Sequence, residues 1–181
     1  MSELSISLRL DQYLELEKIH LGAFFPLDHF MNESEFNSVV TNLYLKDGIV
    51  FPIPVVLDVT QAIAERAKQV HIVNLLYNGV TVGTVEPESI YTCNKLNVAQ
   101  HIYGTPESAH PGVERFYKSG DWFIGGKTKL LQRVEHAISK YELTPLETQT
   151  IFNERGWKTI VGFQTRNVPH RAHEYLQRVA L

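Results

Sequence analysis

The pattern of apolar and polar positions predicts both strands and helices in the first half of the chain, with strands outweighing helices. The clearest element is a hairpin: His71 to Tyr77 and Val80 to Val85 are apolar, β-branched runs joined by Asn78-Gly79, a dipeptide that favours tight hairpin turns. The turn dipeptide Asp47-Gly48 leads into the run from Ile49 to Val59, which is also extended. Because its two prolines cannot donate ladder hydrogen bonds, we place this run at a sheet edge or a bulge.

Several segments between these strands have the apolar spacing or the capping residues of helices. The first would be capped by Asp11 and end near Gly22, and the others cover Asn32 to Leu43, Gln61 to Lys68, Asn94 to Ile102 and Pro111 to about Gly120. Asn32 with Glu35 three residues later is a capping-box pattern. Proline suits a first helical position because its missing N–H would have no partner there. We therefore predict structural helices around a β-rich core.

A second unit begins at Thr144, where Thr144-Pro145-Leu146-Glu147 combines an N-cap, a proline at the first helical position and a capping-box glutamate. A helix should run from there to about Arg155 and end at Gly156. The apolar run Thr159 to Phe163 predicts a buried strand. We therefore expect one domain over residues 1–143 and the opening of another over residues 144–181.

The last helix is predicted to start at Pro169 and to carry two histidines near its beginning. At 3.6 residues per turn, His170, His173 and Gln177 fall on one face of this helix. An opposing stripe would pack on the sheet, and it consists of Ala172, Leu176 and Val179. Both imidazoles should therefore point towards the preceding loop.

That loop supplies the polar side chains Gln164, Thr165, Arg166 and Asn167 to the same helix N-terminus. Free backbone N–H groups and the positive end of the helix dipole favour anions, so the loop suits phosphate or sulfate. Zinc is the competing interpretation of the two histidines. Metalloproteases, however, space their histidines four apart with a glutamate between them, and no third ligand is evident nearby. We predict no metal site.

Composition limits the remaining possibilities. The 181 residues include 17 Lys and Arg and 20 Asp and Glu, a net charge of −3, which argues against a broad surface for nucleic acid. Cys93 is the only cysteine, so a reducing, cytoplasmic setting is the simplest expectation and Cys93 is interpreted as a small apolar filler. No apolar stretch reaches the length of about 18 residues that a membrane span needs, and we expect no membrane partner.

Three strings resemble ATP sulfurylase (sulfate adenylyltransferase). They are Gln164-Thr165-Arg166-Asn167-x-Pro169-His170-x-x-His173, the segment Gly104 to Val113 and the segment Gly22 to Met31. In many members the proline directly follows the asparagine, whereas Val168 intervenes here. Trp122 to Lys127 is similar to the strand and double glycine that close the family's first domain. The resemblance implies an α+β fold, a β-rich PUA-like domain followed by the first strand, loop and helix of a Rossmann-like nucleotidyltransferase domain.

The resemblance also implies roles for the loop residues. Thr165, Arg166 and Asn167 would be catalytic, Gln164 and Arg166 would bind sulfate, and the ATP-binding residues would be Gln164, Asn167, His170 and His173. The substrates would be sulfate and ATP, with Mg²⁺ entering as MgATP and no tightly bound cofactor. Members commonly form homo-oligomers and continue well beyond this point, so 181 residues alone should show little or no turnover.

Other interpretations of the same residues stay open. The chain could be a non-catalytic PUA-like module that binds RNA or a protein partner, or a nucleotidyltransferase that uses a different oxyanion. Arg166 could form a surface ion pair, and His173 could be a half-buried packing residue. His110 is interpreted as a structural loop histidine, because helix entries use such side chains as local hydrogen-bonding groups.

Overall fold

The computed structural model describes residues 4–46 and 48–181, and it divides the chain into two compact units. The first unit is Met1–Tyr141 and the second is Glu142–Leu181. Together they contain an α+β set of elements, as the sequence predicts. All strands lie in the first unit, within the described residues.

The strands are β1 (Leu4–Ser7), β2 (His29–Phe30), β3 (Leu57–Val59), β4 (Val73–Tyr77), β5 (Val80–Val85), β6 (Ser89–Thr92) and β7 (Trp122–Leu130). The helices are α1 (Leu10–His20), α2 (Glu33–Asn42), α3 (Gln61–Ala67), α4 (Lys95–Tyr103), α5 (Pro111–Tyr117), α6 (Pro145–Glu154) and α7 (Arg171–Ala180). A short 3₁₀ turn covers Ser139–Tyr141. The predicted hairpin is confirmed as β4 and β5, and its turn has Asn78 and Gly79 at positive φ, as such turns require.

Strand β7 organises the sheet, because it pairs with four other strands along its length. Its first half pairs antiparallel with β3 and with β6, and its second half pairs with β2 and with β5. Strand β5 also pairs antiparallel with β4, and β1 lies parallel to β4 at the other edge. A sheet in which one strand changes partners must curve, so its inner face encloses an apolar interior.

That interior contains a cluster of aromatic rings. Phe36 of α2 lies with its ring centroid 5.5 Å from those of Tyr91 and Phe123. The Tyr91 hydroxyl donates to the Met31 carbonyl at 2.8 Å, so its polar end is satisfied although the ring is buried. Phe36, Val39 and Val40 form the buried apolar face of α2, whereas Leu43, which we predicted on the same face, follows the helix and is exposed.

The glycines that follow Ile124 are packed inside this sheet. A Cβ on Gly125 would collide with the carbonyl of Met31, and one on Gly126 would collide with the carbonyl of Glu86. Gly126 also has a φ of 146°, which disfavours other residues. Gly125 and Gly126 therefore allow the backbones of Met31 and Glu86 to lie close to β7. This agrees with the resemblance of Trp122 to Lys127 to the strand and double glycine at the end of the family's first domain.

The polar caps predicted for the helices are present. Asn32 accepts from the Glu35 N–H at 3.0 Å, and a Glu35 carboxylate oxygen accepts from the Asn32 N–H at 3.0 Å, which completes the box. Thr60 and Asn94 are the N-caps of α3 and α4, and their side chains accept from the Ile63 and Asn97 N–H groups without a capping box. The start of α1 was predicted wrongly: Arg9, not Asp11, is the N-cap residue, because Gln12 Oε1 accepts from the Arg9 N–H and helix begins at Leu10.

The long extended run from Ile49 to Val59 forms less sheet than the sequence predicts. Only Leu57–Val59 is a strand, and Val50 forms an isolated bridge with Tyr44. Prolines at positions 52 and 54 lack the N–H groups that a continuous ladder would need. Asp47, which we placed in the preceding turn, lies outside the described residues.

In the second unit, α6 follows the prediction and the strand does not form. Thr144 Oγ1 accepts from the Glu147 N–H at 3.2 Å, Pro145 is the first helical residue, and Gly156 has a φ of 66° after the helix ends. The predicted strand Thr159 to Phe163 is irregular, and its apolar residues are exposed. A strand needs a neighbour for its hydrogen bonds, and the described part of this unit provides none.

The last helix begins later than predicted, and its apolar stripe is exposed. Helix α7 starts at Arg171 with His170 as the N-cap, so Pro169 precedes the helix instead of opening it. Leu176 and Val179 are 57% and 67% exposed, and the predicted packing of this stripe on a sheet is absent among the described residues. No described helix is long and apolar enough to cross a bilayer.

Candidate anion-binding site

The loop before α7 is folded around the hydroxyl group of Thr165. Thr165 Oγ1 accepts from the Asn167 N–H at 3.1 Å and donates to the Asn167 carbonyl at 3.2 Å. Such short side-chain to backbone bonds stabilise a turn without any sheet or helix. The hydroxyl therefore fixes the backbone on both sides of Arg166.

His173 connects this turn to the helix. Its Nε2 lies 3.5 Å from Thr165 Oγ1, and its Nδ1 accepts from the His170 N–H at 3.2 Å. The ring is half-buried, and Phe163 meets it edge-on with centroids 5.9 Å apart. His173 is thus the residue through which loop and helix are joined.

His170 closes the first turn of α7. Its Nδ1 accepts from the Ala172 N–H at 3.3 Å, and its ring centroid lies 4.0 Å from that of His173. The two histidines therefore form the N-cap and its capping box. The predicted closeness of His170 and His173 is confirmed, since their rings lie together at the loop end of the helix.

Gln164 and Arg166 extend from the same loop into solvent. Both are exposed, and neither forms a hydrogen bond or ion pair with a residue that the structure describes. The ion pair that we considered for Arg166 is thus absent in the described part of the chain. Arg166 adds a positive charge to the loop that leads into the N-terminal, positive end of the α7 dipole.

The sequence did not predict that both histidines cap the helix. Histidine is uncommon at these positions, where Ser, Thr, Asn or Asp and then Glu or Gln are preferred. The available signal was the three-residue spacing, which is the same as in Asn32 and Glu35 of α2. Because we placed the helix start at Pro169, this spacing was interpreted as a helical face.

His110, in the string from Gly104 to Val113, has a related role in the first unit. It is the N-cap of α5, and its Nδ1 accepts from the Gly112 N–H at 3.2 Å. Its ring lies 5.2 Å from that of Tyr103. These contacts agree with the interpretation of His110 as a structural loop histidine.

Metal ligands are not gathered in the described residues. No group of three or more His, Cys, Asp and Glu side chains among them could hold a metal ion. Cys93 is half-buried, and burial raises the pKa of its thiol to about 11. A thiol of that pKa is a poor nucleophile and ligand at neutral pH.

Comparisons with known proteins match both parts of this chain. Residues 2–133 match the family described as PUA-like domain, and residues 139–181 match the family described as ATP-sulfurylase. The sheet and its flanking helices thus define a PUA-like domain, and the chain belongs to that family over most of its length. Its second part is similar to the ATP sulfurylases, and the resemblance of the chain to that family is confirmed.

The relatives include two proteins named sulfate adenylyltransferase. One, from Thermococcus onnurineus, is 37% identical over 98% of this chain and 46% of its own length. Another, from Halothermothrix orenii, is 41% identical over 97% of this chain and 47% of its own length. The chain therefore spans slightly less than half the length of these curated relatives.

A solved structure supports the fold. The chain matches a hexameric APS kinase from Thiobacillus denitrificans with a TM-score of 0.72 and 22% identity, over 99% of this chain and 32% of that one. At this identity the likeness concerns the fold alone. The match nevertheless covers both units of the chain.

Proposed function

We propose that this chain is part of a sulfate adenylyltransferase and contributes its anion-binding loop. In that reaction a sulfate oxygen attacks the α-phosphorus of MgATP, giving adenosine 5′-phosphosulfate and releasing pyrophosphate. The observation that carries the proposal is the arrangement of Thr165, His170 and His173 at one helix N-terminus, with Arg166 exposed beside them. The names of the relatives support the same reaction.

The chemistry requires two anions that repel each other to be held side by side. The rate then depends on positioning and on neutralising the charge of the leaving pyrophosphate, so no protein nucleophile is needed. A guanidinium can donate to two oxygens of one oxyanion at once. Arg166 and Gln164 are the groups we assign to sulfate, because both extend freely from the loop.

The remaining loop residues form the phosphate side of the proposed site. The hydrogen bonds between Thr165 and Asn167 fix the backbone conformation around Arg166. Asn167 and Gln164 also have side-chain amides that can donate to ATP phosphate oxygens. His170 and His173 contribute at the helix N-terminus, where a partial positive charge favours phosphate. Mg²⁺ would enter with ATP as its complex.

We further propose that the domain boundary lies at residues 143 and 144, where Thr144 caps α6. We propose that the loop is one part of a larger site, because the chain spans slightly less than half of the length of its relatives. We therefore expect little turnover from the 181 residues alone. The complete protein is proposed to be cytoplasmic and homo-oligomeric.

Titration of the ¹⁵N-labelled chain tests the binding part of this proposal. Sulfate, and separately a non-hydrolysable ATP analogue with Mg²⁺, should produce saturating NMR shifts confined to residues 164–173. Sodium chloride at matched ionic strength is the control for screening. Equal shifts with chloride and sulfate would contradict an anion site at this loop.

Two further measurements separate the alternatives. Pyrophosphate release from sulfate and MgATP should be absent or very slow for this chain, and rapid release would contradict its assignment as half of a site. A single-stranded RNA titrated over a range of salt concentrations should bind weakly. Tight, salt-dependent RNA binding would favour an RNA-binding module instead.

A further inference from the structure

His29, the first residue of β2, lies between two carboxylates, and we propose that it is a pH-sensitive switch for the α1–β2 turn (residues 21–28). The doubly protonated ring donates one hydrogen bond to Asp28 and one to Glu35. When the ring loses a proton, it keeps the bond to Glu35 and releases Asp28, the last residue of the turn. This switch lies in the first unit and is independent of the anion-binding loop.

The geometry at His29 requires a doubly protonated ring. Its Nδ1 lies 2.7 Å from Asp28 Oδ1, and its Nε2 lies 2.9 Å from Glu35 Oε2. An ionised carboxylate can only accept hydrogen bonds, and a neutral imidazole has a single N–H. Both bonds therefore exist together only when each ring nitrogen carries a proton and the ring has a positive charge.

The two carboxylates are held differently. The Glu35 side chain is 15% exposed, and its Oε2 also accepts from the Asn32 N–H at 3.0 Å in the capping box of α2. The Asp28 side chain is 88% exposed, so water can replace the ring as its donor. Since a buried acceptor loses more when its donor is removed, the single proton of the neutral ring should stay on Nε2. The bond to Asp28 is then the one that is lost.

Charged groups on the neighbouring elements have less influence on the ring. From β7, Lys127 is the ladder partner of His29, but its side chain is exposed and its Nζ lies 3.9 Å from Glu88. From α1, His20 acts on Asp28, and burial lowers the pKa of His20. That imidazole is therefore neutral at neutral pH. The two carboxylates in contact with His29 outweigh these more distant groups.

The direction of the pKa shifts agrees with this geometry. Burial alone would lower the pKa of His29, but the hydrogen bonds to Asp28 and Glu35 and the charges of both carboxylates raise it above its ordinary value. The hydrogen bond from His29 in turn lowers the pKa of Asp28. The stabilisation from the charged ring is therefore complete below the unfolded pKa of about 6.5. It is lost as pH rises through the higher pKa of the folded chain.

The α1–β2 turn contains two consecutive hydrogen-bonded turns that end beside Asp28. The Phe25 N–H donates to the Gly22 carbonyl at 3.2 Å, and the Leu27 N–H donates to the Phe24 carbonyl at 2.8 Å. Leu27 is buried, whereas Phe25 is exposed. Release of Asp28 removes a polar contact at the end of this segment, so both hydrogen bonds should open more often at high pH.

Imidazole NMR tests the protonation states. A long-range ¹⁵N–¹H spectrum of the ¹⁵N-labelled chain should show both ring nitrogens of His29 protonated below about pH 6. After the ring has titrated, the proton should remain on Nε2. A neutral ring at acid pH would refute the switch, and a remaining proton on Nδ1 would show that Glu35 is released instead of Asp28.

Conservative variants remove the two negative charges one at a time. Asp28→Asn keeps an acceptor oxygen, and Glu35→Gln keeps a preferred capping-box residue, so both should fold. The titration midpoint of His29 should fall by about one pH unit in each variant. Glu33→Gln, at an exposed position of the same helix, is the matched control and should leave the midpoint in place. An equal fall in all three variants would indicate a diffuse charge effect and refute the switch.

Amide hydrogen exchange tests the response of the turn. After correction for intrinsic exchange rates, protection of the Phe25 and Leu27 amides should fall about threefold as His29 loses its proton. In His29→Gln, whose side chain does not titrate, protection should stay constant over the same pH range. Constant protection in the parent chain, or an equal fall in His29→Gln, would show that protonation of His29 does not control the turn.

Discussion

Arg9 holds Asp58 through two parallel hydrogen bonds, from Nη1 to Oδ2 at 3.0 Å and from Nη2 to Oδ1 at 2.7 Å. Gln12 Nε2 donates to Oδ1 at 2.9 Å, and the Gly120 N–H donates to Oδ2 at 2.7 Å. The Asp58 side chain is only 7% exposed. One buried carboxylate thus connects the start of α1, strand β3 and the turn before β7.

Replacement of this carboxylate should make stability less sensitive to acid. Burial alone would raise the pKa of Asp58, but hydrogen bonds from Arg9, the Gly120 N–H and Gln12 lower it below its ordinary value. The ionised Asp58 carboxylate therefore adds to the free energy of unfolding above the pKa of about 3.9 that it has in the unfolded chain. This stabilisation is lost as pH falls through the lower pKa of the folded chain. Asp58→Asn should cost about 1–3 kcal/mol at neutral pH.

Urea unfolding of the parent chain and of Asp58→Asn at several pH values tests the prediction for Asp58. The difference in the free energy of unfolding should shrink as the pH falls below about 4. A difference that stays constant down to acid pH would show that charge at Asp58 does not matter.

Glu15 should behave in the opposite way. Burial, together with the nearby charge of Asp11, raises the pKa of Glu15 to about 7. The folded chain therefore holds this proton more tightly than the unfolded chain, and stability is lost as pH rises from the ordinary glutamate pKa towards about 7. Glu15→Gln should be neutral in acid and should stabilise the protein by about 1–3 kcal/mol above neutral pH. Thermal unfolding at acid and alkaline pH measures this, and equal Tm values of the two proteins at alkaline pH would contradict it.

A substitution in the core should lower the free energy of unfolding far more than one on the exposed face of α7. Phe123→Ala removes a buried ring that packs between Phe36 and Tyr91, and should cost about 3–5 kcal/mol. Val179→Lys changes a side chain that is 67% exposed, and should alter stability by less than about 0.5 kcal/mol. Denaturant unfolding of both variants provides the comparison. A large loss in Val179→Lys would show that α7 is packed in solution.

The cap of α6 can be tested with a matched pair of variants. Thr144→Ala removes the acceptor of the Glu147 N–H and should weaken the helix by about 1 kcal/mol, whereas Thr144→Ser keeps the hydroxyl. Amide hydrogen exchange at residues 146–148 should be faster in the alanine variant alone. Equally fast exchange in the serine variant would point to the lost methyl group instead.

Arg166→Lys tests whether sulfate is bound by a forked donor. Lysine keeps the positive charge but cannot donate to two oxygens in one plane, so sulfate affinity should fall about tenfold. The NMR titration with sulfate measures this, and Arg171→Lys, at the first residue of α7, is the matched control. Equal losses in the two variants would indicate a diffuse charge effect.

The sequence predicted turns and helix caps well, because their interacting residues are close together in the chain. Asn78-Gly79 determines its own turn, and Asn32 and Thr144 each cap the helix that follows. In these cases the interacting groups are three residues apart or less, so the pattern contains the whole interaction. Whether the loop binds sulfate and ATP stays a prediction.

Elements that depend on distant partners were predicted less well. Thr159 to Phe163 has the composition of a strand, but pairing requires a neighbour that the described residues do not provide. The Arg9 and Asp58 pair joins positions 49 residues apart, and no sequence pattern indicated it. The capping roles of His170 and His173 were missed for a smaller reason, because we placed the helix start at Pro169, two residues before Arg171.

The position of β7 in the chain has a consequence for synthesis. This strand pairs with β2, β3, β5 and β6, yet it is the last of them to leave the ribosome. Nascent chains that stop before Trp122 would expose unpaired strand edges, which are prone to association. We expect the sheet of the first unit to complete its strand pairing only after Leu130 has emerged from the ribosome. Folding of this unit during synthesis therefore depends on one late strand.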